Sequence, residues 1–259
     1  MMKKLLFVLG LLTILSEVSV AQDMSLYVKK EFTSKSGATM PYRILYPENY
    51  DPKGKYPVIL FLHGAGERGN DNEKQLVHGS KLFLKPENRE KYPCIVIFPQ
   101  CPAEGFWSSV VRDNTKRPHS LSFDYQQPIT PSLSLAMSIL RQVIKQEGVD
   151  KKRVYIAGLS MGGMGTFEAV YRFPKVFAAA MPICGGGDAN SYNAKAAKLP
   201  FRVFHGEKDS VVPVEESRRM VEKLKALNGD VRYTEYPGVD HNSWDNAFME
   251  PDFLSWMWK

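Results

Sequence analysis

Two kinds of apolar pattern alternate along most of the chain. Val58-Ile59-Leu60-Phe61-Leu62 and Ile95-Val96-Ile97-Phe98 are unbroken apolar runs. Short runs of this kind read as strands buried on both faces. Val154 to Ala157, Phe201 to Phe204 and Val231 to Tyr236 predict further strands, and Phe177 to Ile183 another, interrupted late by Pro182. Between them the period changes. Leu133, Ala136, Met137, Leu140, Val143 and Ile144 fall on one helical face over 133–146, with Gly148 as a stop signal. Met161 to Phe173, ended by Pro174, and Val214 to Leu227, ended by Asn228-Gly229, predict two more helices, and Asp252 to Trp258 a short terminal one. Upstream, Leu26 to Phe32 and Tyr42 to Tyr46 flank the turn signal Ser36-Gly37 and predict an antiparallel edge pair. Alternating strands and helices imply an α/β fold: a mainly parallel central sheet, helices on both faces, and antiparallel N-terminal edge strands. There is no internal repeat and no linker between two cores, so 22–259 is read as one domain.

The first 21 residues follow a different rule. Lys3 and Lys4 precede an apolar stretch from Leu5 to Leu15, and Ser19-Val20-Ala21 places small residues at −3 and −1 of a cleavage site. This is the layout of a secretory signal peptide over 1–21. The stretch is shorter than the roughly 20 residues that span a bilayer, and no cysteine directly follows to carry a lipid. The expectation is a secreted or periplasmic protein without a stable membrane anchor.

Composition narrows the class. Of 259 residues, 44% are hydrophobic and 24% charged, which excludes a disordered chain and a multi-span membrane protein. The net charge of +6 is spread out, and Asp150-Lys151-Lys152-Arg153 reads as a solvated turn, so no nucleic-acid partner is expected. Cys94, Cys101 and Cys184 are too few for a disulfide scaffold and form no CxxC pair. A strand rising about 3.3 Å per residue between Cys94 and Cys101 disfavours a bridge. His63, His78, His119, His205 and His241 show no metal-ligand spacing, so neither metal nor cofactor is expected.

The chemistry gathers where strands end. Gly158-Leu159-Ser160-Met161-Gly162 matches G-x-S-x-G between a predicted strand and a predicted helix. Such a turn is tight enough to demand small flanking residues and pushes the serine outward as a nucleophile. The bland alternative is a glycine-rich turn whose serine caps the helix. A serine hydroxyl needs a base oriented by a third group. His241, in the loop after the last predicted strand, is preferred as the base over His205. The loop after the Phe201 to Phe204 strand offers Glu207 and Asp209 as the acid. Asp209 is preferred because Val211-Val212-Pro213 anchors the loop behind it, and Asp240 reads as a turn-shaping residue. The developing oxyanion needs donors, for which the backbone N–H groups of Met161 and Ala65 are expected, with Gly64 as the alternative to Ala65. The loop His63-Gly64-Ala65-Gly66-Glu67-Arg68-Gly69 lacks G-K-[ST] and G-x-G-x-x-G, so it is not read as a phosphate cradle.

Leu62-His63-Gly64-Ala65-Gly66-Glu67-Arg68-Gly69, Pro99-Gln100-Cys101-Pro102, Gly158 to Gly163, His205-Gly206-Glu207-Lys208-Asp209 and His241-Asn242-Ser243-Trp244 occur in that order. With these pieces the chain resembles the α/β-hydrolases. More narrowly it resembles secreted carboxylesterases and predicted peptidases of the phospholipase/carboxylesterase group, relatives of feruloyl esterases and polyhydroxybutyrate depolymerases. The resemblance implies Ser160, Asp209 and His241 as a triad working through an acyl-enzyme. Ser160 departs from the cysteine nucleophile of the dienelactone hydrolases that share the fold.

Cys184 to Pro200 is too short for a large lid, which disfavours interfacial lipase activity. The long segment from Gln100 to Pro131 starts at the carboxyl end of a strand, on the active-site side of such sheets. It carries Phe106, Trp107, Phe123 and Tyr125, which either wall a phenolic or sugar group or merely fold the loop onto the body. Trp107 and Gly64 are the expected substrate-binding residues. The leading expectation is a secreted serine esterase acting on small-molecule or polysaccharide-linked esters, with feruloyl or acetyl groups in view. A serine peptidase of the prolyl-oligopeptidase-like type and a non-catalytic binding module are the alternatives.

Overall fold

The computed structural model describes residues 23–258. The signal-peptide expectation over 1–21 therefore lies outside the described residues. Ten strands and six α-helices follow in chain order: β1 Tyr27–Thr33, β2 Thr39–Leu45, β3 Tyr56–Leu62, α1 Ser80–Leu84, α2 Pro86–Lys91, β4 Ile95–Pro99, β5 Val110–Asp113, β6 Ser120–Phe123, α3 Pro131–Gln146, β7 Val149–Leu159, α4 Met161–Arg172, β8 Ala179–Ile183, β9 Phe201–Gly206, α5 Val214–Ala226, β10 Val231–Tyr236 and α6 Trp244–Met249. Eight strands form one sheet in the order β1-β2-β4-β3-β7-β8-β9-β10. Strand β2 runs antiparallel to both of its neighbours, and the pairs from β4 through β10 are parallel. Strands β5 and β6 form a separate antiparallel hairpin.

The unbroken apolar runs are explained by burial on both sides. Val58, Leu60, Leu62, Ile95 and Ile97 pack into one core with residues of α3, α4 and α5. Their alternates Ile59, Phe61, Val96 and Phe98 pack into a second core with Leu82 and Phe83 of α1, Ala247 of α6 and the C-terminal Phe253 and Trp256. Period-2 side chains on a pleated strand feed two layers at once.

Two sequence expectations change. The terminal helix over 252–258 is a run of turns, and the helix lies earlier, at α6. Glu250 is extended, at φ −59° and ψ 124°, as the residue before Pro251 must be, so the helix stops there. The stretch from Asp150 to Arg153 is strand rather than turn. It lies within β7, where the pairing with β3 shifts register between Tyr56 and Val58. The long segment from Gln100 to Pro131 contains the β5–β6 hairpin. Cys94 and Cys101 sit at opposite ends of β4 as free, buried thiols.

Candidate active site

Ser160 occupies the single residue between β7 and α4, at φ 53° and ψ −116°. This left-handed backbone costs strain for a residue with a Cβ, and such outliers persist where surrounding structure over-determines them. Gly162 supplies part of that determination: a Cβ there would run into the Leu62 carbonyl at the end of β3. The Ser160 N–H donates to the Ile183 carbonyl at 2.9 Å, pinning the turn to the end of β8.

The His241 ring lies between the serine and the acid. Its Nε2 is 2.9 Å from Ser160 Oγ and its Nδ1 is 2.7 Å from Asp209 Oδ2. Asp209 is buried in the loop after β9, and its Oδ1 accepts the N–H groups of Val211 and Val212, both at 2.8 Å. Burial alone would raise its pKa, but hydrogen bonds from His205 and His241 outweigh that and hold it well below the usual carboxylate range. It stays ionised opposite His241.

The other acids have different tasks. Glu207 is exposed and its Oε2 accepts the Gly238 N–H at 2.7 Å, tying the acid loop to the histidine loop. Asp240 Oδ1 accepts the N–H groups of Ser210 and His241, both at 2.7 Å, so it shapes the turn.

His205 is fully buried behind the acid. Its Nδ1 lies 2.7 Å from Ser217 Oγ, and its Nε2 lies 3.1 Å from both Asp209 Oδ2 and the Val212 carbonyl. It shares Asp209 Oδ2 with His241 and so braces the carboxylate. His205→Ala is expected to lower unfolding free energy by about 1–3 kcal/mol, the scale of leaving buried polar partners unsatisfied. The kcat of the folded variant should fall far less than that of His241→Ala; urea titration and steady-state kinetics check both.

The oxyanion side is built from backbone. Met161 is the first residue of α4, so its N–H has no intrahelical partner. Gly64 is extended and Ala65 opens a short 3-10 turn over Ala65–Glu67. A Cβ on Gly64 would sit 3.7 Å from Ser160 Cβ, so this loop is in contact range of the nucleophile. Gly64, Ala65, Ser160, Met161 and His241 all line one cleft of about 370 Å³.

His63 fixes that loop. Its Nε2 accepts the Cys101 N–H at 2.9 Å, which leaves Nδ1–H to donate to the Gly64 carbonyl at 2.6 Å. Burial holds its pKa down to about 4. Burial and the Arg117 guanidinium lower His119 in the same sense. As pH falls from about 6.5 to about 4, the unfolded chain takes up protons that the folded imidazole refuses, so stability falls over that window, by on the order of 3 kcal/mol for His63. Wild-type thermal midpoints should drop across this range, and His63→Gln should show a shallower drop.

Trp107, expected to contact substrate, does not. It is fully buried, and its indole N–H donates to the His63 carbonyl at 3.0 Å, so it supports the loop from beneath. Its neighbour Phe106 lines the cleft instead. Phe123 packs against the core and Tyr125 is buried within it. Arg112, Arg117 and His119 of the hairpin region also line the cleft, as do Glu67, His78 and Trp244 on its other sides. Cys184 Sγ lies within 4.8 Å of the Asp209 and His241 ligand-type atoms. Burial pushes its pKa well above the usual thiol value, so it stays a neutral thiol, and the other two groups are already engaged with each other.

Comparison with known proteins agrees with this geometry. The family model described as phospholipase/carboxylesterase matches residues 51–255. The chain belongs to the phospholipase/carboxylesterase family. This family member is 27% identical over 196 residues to carboxylesterase SOBER1 of Arabidopsis thaliana, covering 71% of this chain and 82% of the relative. It is 28% identical over 184 residues to the bifunctional acetylxylan esterase/xylanase XynS20E of Neocallimastix patriciarum, covering 70% of this chain but 23% of that protein. The crystal structure of a thermostable esterase superposes with a TM-score of 0.80 at 38% identity, covering 90% of this chain. This chain spans 62% of that esterase's length. The ferulic acid esterase AmCE1/Fae1A of Anaeromyces mucronatus shares the fold, with a TM-score of 0.63 at 18% identity over 90% of this chain and 94% of its own. The family and the site make this phospholipase/carboxylesterase member a serine hydrolase of carboxylic esters.

Proposed function

We propose that this is an exported serine esterase that removes feruloyl or acetyl groups from plant polysaccharides or their fragments. The observation that carries the reading is the His241 ring bridging Ser160 at 2.9 Å and Asp209 at 2.7 Å at the floor of an open cleft. Ser160 Oγ attacks the ester carbonyl carbon while its proton passes to His241 Nε2. Negative charge on the carbonyl oxygen is met by the Met161 and Ala65 N–H groups. Collapse expels the alcohol, which takes the proton from His241 and leaves an acyl-serine. Water, deprotonated by the same histidine, then releases the acid. No part of this sequence requires a cofactor or a nucleic-acid partner.

Support for the polysaccharide setting comes from the acetylxylan esterase and ferulic acid esterase relatives, and support for export from the pattern of 1–21. Among the described residues, no helix is long and apolar enough to cross a membrane. Methyl ferulate, acetylated xylan, p-nitrophenyl acetate and a short peptide, assayed side by side, test the reading. Hydrolysis of ferulate or xylan acetate with the peptide untouched supports it. Peptide cleavage without ester turnover would redraw it as a peptidase. Mass analysis of the N-terminus from expressing cells should find Gln22 first, and intact Met1 on exported protein would contradict processing.

A further inference from the structure

We propose that Arg112, Arg117 and His119 form an anion-recognition subsite in the cleft, which selects esters carrying a carboxylate on the acyl or the alcohol side. The proposal rests on the esterase reading above and sharpens its substrate class. Arg112 stands opposite Leu121 in the β5–β6 hairpin, and the turn between the strands brings Arg117 and His119 to the same cleft. The hairpin is anchored to the catalytic acid loop: the His119 N–H donates to the Val211 carbonyl at 2.9 Å. The subsite is therefore held in fixed relation to Asp209.

The charge on this wall is placed but not neutralised. The Arg112 guanidinium lies over the Phe106 ring, 4.4 Å from its centroid, which orients the group without pairing it. Arg117 Nη1 lies 2.6 Å from His119 Nε2. Among the described residues neither arginine has a carboxylate at ion-pair distance. His119 is only 8% exposed. With Nε2 accepting from Arg117, its proton sits on Nδ1, on the side of the Asp113 and Lys116 backbone carbonyls of its own turn.

The neighbouring charged groups lie beyond ion-pair distance of both arginines. Arg68 is turned to the Ala65 and Gly105 carbonyls. Asp113 spends its Oδ1 on Thr115, at 2.9 and 2.6 Å. Glu67 lines the cleft too: its Oε1 lies 3.8 Å from His78 Nε2, and its Oε2 is buried without a partner beside Gly64. Two guanidinia thus face one part-enclosed volume, and guanidinium forks match a carboxylate in shape and charge. Neither a feruloyl nor an acetyl group carries such a charge. The carboxylate belongs to a dicarboxylic half-ester or to a uronic acid bearing the acyl group.

Matched pairs distinguish the two sources. p-Nitrophenyl hydrogen succinate against p-nitrophenyl acetate places the anion on the acyl side. Acetylated methyl glucuronoside against acetylated methyl xyloside places it on the alcohol side. We expect one anionic ester to exceed its neutral partner in kcat/KM by about tenfold, in keeping with the strength of charge-assisted hydrogen bonds. That ratio should shrink toward one in Arg112→Gln and Arg117→Gln, and in high salt. Arg117 is exposed, so its variant keeps the test open if Arg112→Gln fails to fold. Equal rates within both pairs, or a preference that survives both substitutions, overturns the subsite. Calorimetric titration of succinate and glucuronate reads the same wall without turnover. If no ester is hydrolysed, the esterase reading fails while this titration still decides the subsite. Binding that weakens in both arginine variants supports it, and absence of binding at millimolar anion overturns it.

Discussion

Ser160→Ala should lower kcat for any hydrolysed ester by roughly six orders of magnitude, the scale on which removing the nucleophile disables a serine-histidine-acid unit. The reason is local. The Ser160 hydroxyl is the group that His241 Nε2 faces at 2.9 Å, at a turn whose backbone is set by Gly162 and by the Ser160 N–H bond to Ile183. Alanine keeps the Cβ and that N–H, so the turn stays and only the nucleophile goes. The substitution should leave the far-ultraviolet dichroism and the thermal midpoint near wild type. Hydrolysis by a folded variant at more than a small fraction of the wild-type rate would remove Ser160 from the chemistry.

Asp209→Asn should lower kcat by roughly four orders of magnitude, as amide replacement of a triad acid does elsewhere. The carboxylate receives four donors: the Val211 and Val212 N–H groups at Oδ1, and His241 and His205 at Oδ2. Asparagine has one acceptor oxygen. If that oxygen stays with the two backbone donors, the NH₂ faces His241 Nδ1 and demands an unprotonated nitrogen there. The ring proton then moves to Nε2, which can no longer accept the proton of Ser160. Glu207→Gln should change kcat little, because Glu207 is exposed and its bond from the Gly238 N–H survives in the amide. Both variants, assayed on one activated ester with folding verified by dichroism, settle which residue is the acid. A larger loss in Glu207→Gln would move the triad to residue 207.

The strands that position the site were legible in sequence because β3 and β4 are buried on both faces and therefore carry unbroken apolar runs. The nucleophile was legible because a tight strand-to-helix turn leaves room for little besides glycine around it. Asp209 stood out from Glu207 through the residues behind it, and the two backbone donors of Val211 and Val212 give that anchor its physical form. The substrate wall was less legible. Phe106 and Trp107 are adjacent aromatics, and sequence alone does not say which one faces solvent. The core took Trp107 because the His63 carbonyl offers its indole N–H a partner. The β5–β6 hairpin is not legible in sequence because its strands are short and of mixed polarity, and their burial alternates only between part-buried and exposed, with no fully buried face. Its Arg112, Arg117 and His119 become site residues only through tertiary packing against the acid loop. The misplaced terminal helix has a simpler cause: apolar residues at 253, 254, 256 and 257 fill a core without needing a helix to do so.

The central claim is that Ser160 is the activated nucleophile of the triad. Labelling the folded protein with a fluorophosphonate and mapping the adduct by peptide mass tests it most directly, because the reagent traps only a serine that a base has activated. One phosphonylated residue, Ser160, is expected, with labelling lost in His241→Ala. An adduct on any other residue, or a folded wild-type protein that takes up no label, would contradict it.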